Sequence, residues 1–331
     1  MSGTRFPRTS DLSVVCPCYN EMGNVGPLMG RLVPVLEILS ASYEIILVDD
    51  GSTDATWDAI LAAVRANRSI RGIRLSRNFG HQNALLAGLR QAAGSAVITM
   101  DSDLQHPPEV IPQLVEAWRR GSQIVTTRRQ DKEVASTFKR VTSRLFYRFF
   151  SFMAGIALDE GNSEFRLINR KALEQLLQFA FRDQFMRGSV QWMGFRTSVV
   201  PYMAEPRHSG ATKYNFLSML RFAAIAITSF SNRPLRIGIW IGLIVGILAL
   251  AELIYVVAMA LEGVTVPGWA STVGIMSFLF AILFATLGVI GIYVSRIYAL
   301  LQNRPEFIVS ETVEPVWDVS NTSNDHKPTP A

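Results

Sequence analysis

Two long apolar stretches limit what this chain can become. Leu235 to Leu261 carries one basic residue, Arg236 at its edge, and one acid, Glu252, while Thr272 to Val294 carries no charge at all. A membrane-spanning helix needs about 20 apolar residues, so each stretch is long enough to cross a bilayer. The roughly two hundred residues before them have globular composition, which predicts a head followed by a two-helix hairpin. Arg221, Arg233 and Arg236 precede the first stretch and Arg296 and Arg304 follow the second, whereas the connection Glu262 to Ser271 has no Lys or Arg. By the positive-inside rule the head and both termini face the cytoplasm. Met1 to Asp11 has no apolar core of the kind a cleaved leader carries.

Inside the head, apolar runs alternate with amphipathic segments. Leu12 to Cys16, Glu44 to Val48, Ile70 to Leu75 and Ala96 to Met100 read as buried strands, with helices over Asn24 to Leu39, from about Ala55, and over His81 to Ala93. Strands separated by helices predict a mainly parallel sheet, and such sheets bind ligands beyond the carboxyl ends of their strands. A polar cluster follows each of the four runs: Tyr19/Glu21, Asp49/Asp50, Arg77/Asn78 and Asp101/Asp103. An isolated Asp-Ser-Asp is more often a helix-capping turn than a metal site. Four such clusters on one rim are poorly explained by capping alone. The first two suit a base and ribose, and the acids Asp101 and Asp103 suit Mg²⁺ or Mn²⁺, cations usually shared between one or two carboxylates and substrate phosphates.

The second half of the head is more basic. Gln123 to Thr127 reads as a fifth strand ending at Arg128-Arg129, and Glu133 to Met153 as a helical segment mixing Lys139, Arg140, Arg144 and Arg148 with aromatic residues, suited either to a membrane surface or to partial burial. Glu160 to Leu167 leads into another helix, a strand lies near Thr197 to Val200, and Phe216 to Ser231 reads as an interfacial helix. The tail from about Ser310 is polar and reads as disordered. The net charge of +5 could serve nucleic acid, but its basic residues cluster at Arg128 to Arg148 and around the apolar stretches, which favours a phosphate-bearing ligand and anionic lipid instead. Cys16 and Cys18 lack nearby metal ligands and read as buried thiols.

Five segments in order, Pro17-Cys18-Tyr19-Asn20-Glu21, Val48 to Asp54, Ser76 to His81, Asp101 to Glu109 and Arg207 to Tyr214, resemble the motif series of family 2 glycosyltransferases. More narrowly, they are similar to the polyprenyl-phosphate glycosyltransferases, among them the bactoprenol glucosyltransferases and dolichol-phosphate mannose synthases, over roughly Leu12 to Arg304. The resemblance implies an α/β GT-A head, Rossmann-like with a mainly parallel sheet, then juxtamembrane helices and two transmembrane helices in a bacterial cytoplasmic membrane. It implies an inverting, metal-dependent enzyme that moves a sugar, UDP-glucose being the expected donor, to undecaprenyl or another polyprenyl phosphate for cell-envelope glycosylation. Matched residue by residue, Asp101, Asp103 and Gln105 fall on the metal positions. Pro17, Tyr19, Glu21, Asp49, Asp50, Asn78 and Asp101 fall on the nucleotide-sugar side. Arg128, Lys139 or Arg140, and Ser143 fall where the acceptor phosphate binds. Arg207 and Lys213 match an element closing over the donor diphosphate. Asp103, Glu164, Arg207 and Lys213 form the expected catalytic set, although Ser163-Glu164-Phe165-Arg166 stands where bactoprenol glucosyltransferases usually read Gly-Asp-Phe-Arg.

The boundaries that follow are a catalytic head at 1–212, divided at 110 into donor and acceptor halves, juxtamembrane helices at 213–233, the hairpin at 234–301 and a cytoplasmic tail at 302–331. Gly238, Gly242 and Gly246 form a small-residue stripe that can pack against the second span or a second subunit. Glu252 within the span calls for a partner, a role or interfacial exposure. A processive polysaccharide synthase would carry more spans and Gln-x-x-Arg-Trp, which Gln191-Trp192 does not supply. A catalytically silent nucleotide-sugar-binding scaffold would be favoured by loss of the acids at 101 and 103, and both are present.

Overall fold

The computed structural model describes residues 10–40, 42–130, 152–153, 162–178, 186–203, 227, 231–262, 268–302 and 304–315. Eight strands form one sheet: β1 (Leu12–Cys18), β2 (Tyr43–Asp49), β3 (Ile70–Leu75), β4 (Ala96–Thr99), β5 (Ile124–Gln130), β6 (Asn162–Asn169), β7 (Thr197–Met203) and β8 (Val309–Val313), in the order β7-β5-β6-β4-β1-β2-β3-β8. The run β4-β1-β2-β3 is parallel throughout, as expected from the alternation of strands and helices. It is flanked by α1 (Met22–Leu39), α2 (Thr56–Ala66), α3 (His81–Gln91), a 3-10 turn at Pro108–Val110 with α4 (Ile111–Arg119), and α5 (Arg170–Leu176) and α6 (Met186–Trp192).

Every residue of β1 is buried, so the strand has helices on both faces and reads as a continuous apolar run. Val14 and Cys16 join one apolar cluster with Leu28, Leu32 and Leu36 of α1 and Ile60 of α2. Val15 joins the other, with Leu85, Leu86 and Leu89 of α3. Each fully buried aliphatic side chain of this kind contributes about 1.5–3 kcal/mol. Burial pushes the Cys18 thiol up to about 12 and raises Cys16 as well, so both behave as unreactive packing residues.

Two elements differ from the sequence reading. β6 runs antiparallel between β4 and β5, where Glu160 to Leu167 reads as a lead into a helix. Its polar and apolar residues alternate because Phe165 and Leu167 pack into the core. β8 pairs antiparallel with β3 at the sheet edge, so residues 309–313 are not disordered tail. The compact unit built on the sheet comprises Met1–Ser136, Asp159–Lys213 and Pro305–Ala331. Thr137–Leu158 and Tyr214–Arg304 form the second unit.

In that second unit, α7 (Arg233–Leu261) and α8 (Trp269–Leu301) contain two segments, Arg233–Met259 and Gly274–Leu301, long and apolar enough to cross a membrane. A methyl group at Gly238 would lie 3.3 Å from Thr286 Cγ2, so this end of the small-residue stripe faces the second helix. Gly242 and Gly246 have open space around them.

Candidate active site at the carboxyl rim

The parallel register places the ends of β4, β1, β2 and β3 side by side, and their loops lock onto one another. Asn20 takes a left-handed backbone, φ 56°, a conformation Asn tolerates through local hydrogen bonds. Its N–H donates to Ser52 Oγ at 3.0 Å and its Oδ1 accepts from Thr53 N at 2.9 Å. Glu21 N donates to Thr56 Oγ1 at 2.8 Å. Asp54 Oδ1 accepts from Thr56 N at 3.0 Å, so the acid ending the β2 loop does support the start of α2.

Asp49 and Asp50 are both buried, with different partners. Asp49 Oδ1 accepts from Ser52 N at 2.9 Å, and its Oδ2 lies 3.3 Å from Arg74 Nε. Asp50 takes the amides of Phe79 at 2.7 Å and Gly80 at 2.9 Å, one on each oxygen. The second acid thus ties the β2 loop to the loop entering α3. Gly51 between the loops has φ +64°, and a Cβ there would lie 2.3 Å from the Arg77 carbonyl carbon; only glycine permits both the dihedral and the contact. Tyr19 and Asn78 are exposed at this rim, and the Pro17 carbonyl accepts from Ser102 Oγ at 2.9 Å.

Asp101 leaves β4 at the centre of the rim. Its backbone N–H donates to His106 Nδ1 at 3.0 Å. His106 Nδ1 is thereby an acceptor, which leaves the proton on Nε2, 2.7 Å from Ser163 Oγ. Burial holds His106 below the usual imidazole value against the pull of Asp101, Asp103 and Glu164, so the ring is neutral. It stacks on Phe165 with centroids 5.3 Å apart and meets Tyr202 edge-on at 5.9 Å. Leu104 adopts φ 63°, and Asp103 Oδ1 accepts from Gln105 N at 3.1 Å, which curls the acidic loop back on itself.

Glu164 sits on β6 beside this loop. Burial alone would raise its pKa, but Arg166 and then Arg187 outweigh it and hold the carboxyl at about 2. Arg166 pairs with Oε2, while Oε1 accepts from Arg187 Nε at 2.6 Å and from Gln82 Nε2 at 3.2 Å. A carboxylate so held is a poor proton acceptor near neutral pH.

The structure therefore brings Pro17, Tyr19, Glu21, Asp49, Asp50, Asn78, Asp101, Asp103 and Gln105 to one sheet rim. Arg128 lies exposed in β5. Lys139, Arg140, Ser143, Arg207 and Lys213 lie outside the described residues. His106, Ser163, Arg166, Arg187 and Gln82 belong to the same neighbourhood and are absent from the sequence-derived set; His106, in the Asp101 to Glu109 run, and Ser163 and Arg166, in the Ser163 to Arg166 run, stood in segments already marked by their pattern. Among the described residues no group of three or more His, Cys, Asp or Glu side chains forms a metal cage. Mg²⁺ and Mn²⁺ do not require one when substrate phosphates complete the coordination. Asp101 Oδ1 is buried without a hydrogen-bond partner, with His81 Nε2 at 3.3 Å, and together with Asp103 it offers the hard oxygen ligands such ions take.

Residues 13–177 match the family described as Glycosyl transferase family 2. An uncharacterized glycosyltransferase of Synechocystis sp. is 40% identical over 304 residues, covering 92% of this chain and 96% of its own. The SfII prophage-derived bactoprenol glucosyl transferase of Shigella flexneri is 34% identical over 302 residues, covering 91% of this chain and 98% of its own. Among solved structures, glucosyl-3-phosphoglycerate synthase from Mycobacterium tuberculosis is 21% identical, covers 67% of this chain and 78% of its own, and has a TM-score of 0.45. With relatives of this identity matched across nearly their whole length, apolar helices included, the chain belongs to glycosyl transferase family 2 and is a glycosyltransferase with a GT-A-like α/β fold.

Proposed function

We propose that the protein transfers a sugar from a nucleotide donor, UDP-glucose first among them, to polyprenyl phosphate at the cytoplasmic face of a bacterial membrane, inverting the anomeric centre. The observation that carries this reading is the union, in one chain, of the acidic rim with two membrane-length helices, along the full length matched by the Shigella bactoprenol glucosyl transferase. A polyprenyl chain resists leaving the bilayer at about 0.8 kcal/mol per CH₂, so an enzyme acting on it must work at the interface.

In this reading Pro17, Tyr19, Glu21, Asp49 and Asn78 border the nucleoside, while Asp50 holds the loop carrying Asn78. Asp101 and Asp103, with Gln105 beside them, hold Mg²⁺ or Mn²⁺. The cation's contribution is to offset charge that develops on the departing diphosphate. Arg207 and Lys213 add positive charge there, and Arg128, Lys139 or Arg140, and Ser143 receive the acceptor phosphate. That phosphate is itself the nucleophile. Its second pKa is about 6, so it is largely ionised near neutral pH and needs no strong base. The low pKa of Glu164 fits this chemistry: the carboxylate positions Arg166 and Arg187 rather than accepting a proton.

The test is to incubate membranes carrying the protein with undecaprenyl phosphate and a panel of labelled UDP- and GDP-sugars. Label from one donor should enter the organic-extractable lipid; no transfer from any donor would sink the reading.

A further inference from the structure

β8 follows the second apolar helix in the chain, yet it returns to the sheet and is fastened at both ends. Before it, Glu306 pairs with Arg90 of α3 at 3.3 Å, and Phe307 lies beneath the same guanidinium at 5.2 Å. After it, Glu314 pairs at 2.8 Å with Arg71, which also reaches the buried Glu44 at 3.3 Å. Between these anchors the pairing with β3 is irregular. Arg74 lies opposite Glu311 but Leu75 lies opposite Val309, so Ser310 is an extra residue. Its Oγ donates to the Arg74 carbonyl at 3.1 Å, and Ser76 N donates to the Ile308 carbonyl at 2.9 Å. Bulges of this kind gather beside active sites and redirect side chains.

This bulge opens onto a cavity of about 500 Å³ lined by Gly51, Ser52, Ser76 and Arg77 from the carboxyl rim, by Arg74 and Leu75 at the end of β3, and by Ser310 and Glu311 from β8. The rim residues adjoin Asp50 and Asn78 in sequence. The cavity lies beyond the ends of β2 and β3, where ligands of parallel sheets bind. Its chemistry is mixed: the guanidinium groups of Arg74 and Arg77, the hydroxyls of Ser52, Ser76 and Ser310, and the Glu311 carboxylate, with Arg74 paired to the buried Asp49 at 3.3 Å. With Arg74 neutralised by Asp49, Arg77 and Glu311 balance each other, and a lining without surplus positive charge suits a neutral group rich in donors and acceptors better than a diphosphate.

We infer that β8 completes the nucleoside end of the donor site, with Glu311 accepting a hydrogen bond from a ribose hydroxyl or a base N–H and Ser310 shaping the wall. The inference rests on the reading that the protein takes a nucleotide sugar. It makes a segment beyond the membrane helices part of substrate recognition, and it separates the β8 contribution from the diphosphate end at Asp101/Asp103.

The experiment uses the full-length protein in detergent and measures binding of UDP and of inorganic diphosphate, each with Mn²⁺, to the wild type, Glu311→Gln and Ser310→Ala. Loss of one hydrogen bond to a charged group should weaken UDP about tenfold in Glu311→Gln, with a smaller loss in Ser310→Ala. Diphosphate affinity and the melting temperature should not change. UDP affinity within twofold of wild type in both variants, or an equal loss of diphosphate binding, would overturn the inference and leave the proposed function standing. A wild-type protein that binds neither UDP nor diphosphate would overturn both.

Discussion

Arg187 Nε lies 2.6 Å from Glu164 Oε1, and the carboxylate it meets is almost wholly buried and also paired with Arg166. Breaking a buried pair by removing one partner leaves an uncompensated charge and costs about 3–5 kcal/mol. Glu164→Gln should therefore lower stability by that order near neutral pH. Because the folded pKa is depressed, the Glu164 contribution is complete above the ordinary value of 4.5 and is lost as pH falls towards about 2. Denaturant unfolding of both proteins across that window should show the gap closing as the acid protonates. A gap that stays constant down to pH 2 would remove the ion pairs as its cause.

Gly51→Ala tests the junction between the β2 and β3 loops. The left-handed backbone costs a non-glycine residue about 1–2 kcal/mol, and the new Cβ would collide with the Arg77 backbone. Stability should fall by more than that dihedral cost, and the affinity for UDP should fall with it. An unfolding midpoint equal to wild type would mean the two loops are not held as closely as described.

Arg71→Met asks whether β8 is fastened from its far end. The substitution removes the bridge from Glu44 to Glu314 while retaining the aliphatic stem. Amide exchange over residues 309–313 should accelerate at least tenfold, whereas β1 and β2 amides should remain protected. Unchanged exchange in β8 would place its anchorage elsewhere, at Arg90.

Asp103→Asn keeps the size of the side chain and removes its charge. Turnover should drop about 10²–10³-fold with no more than a small change in melting temperature, and EDTA should have a comparable effect on the wild type. Near-normal turnover in either case would take Asp103, or the cation, out of the chemistry.

The parts of the fold that were legible in the sequence are short strands set between helical segments, mostly apolar in β1, β2 and β4, while β3 carries Arg71 and Arg74 among its apolar residues. β1, β2, β3 and β4 lie in the middle of the sheet, covered on both faces, and each ends at a polar cluster that the parallel register sets on one rim. β6 escaped because Ser163, Glu164, Arg166 and Asn169 interrupt its apolar residues; nothing local announces that Glu164 and Arg166 neutralise each other inside the protein. β8 escaped because an edge strand keeps one side towards solvent, and Ser310, Glu311 and Thr312 read as tail. The same limit applies to the site. Asp101 and Asp103 are visible as an i, i+2 pair at a strand end, but the fixing of Asp101 by His106, and of His106 by Ser163, joins segments nearly sixty residues apart and depends on pairing that spacing does not reveal.

Which bond the enzyme makes is read directly by double labelling. Purified protein is given UDP-glucose labelled with ¹⁴C in the sugar and ³²P in the β-phosphate, with unlabelled undecaprenyl phosphate as acceptor. The predicted lipid product carries ¹⁴C without ³²P, and all ³²P remains in UDP, because the acceptor's own phosphate oxygen attacks the sugar carbon. A lipid product carrying both labels would show transfer of a sugar phosphate and contradict the account.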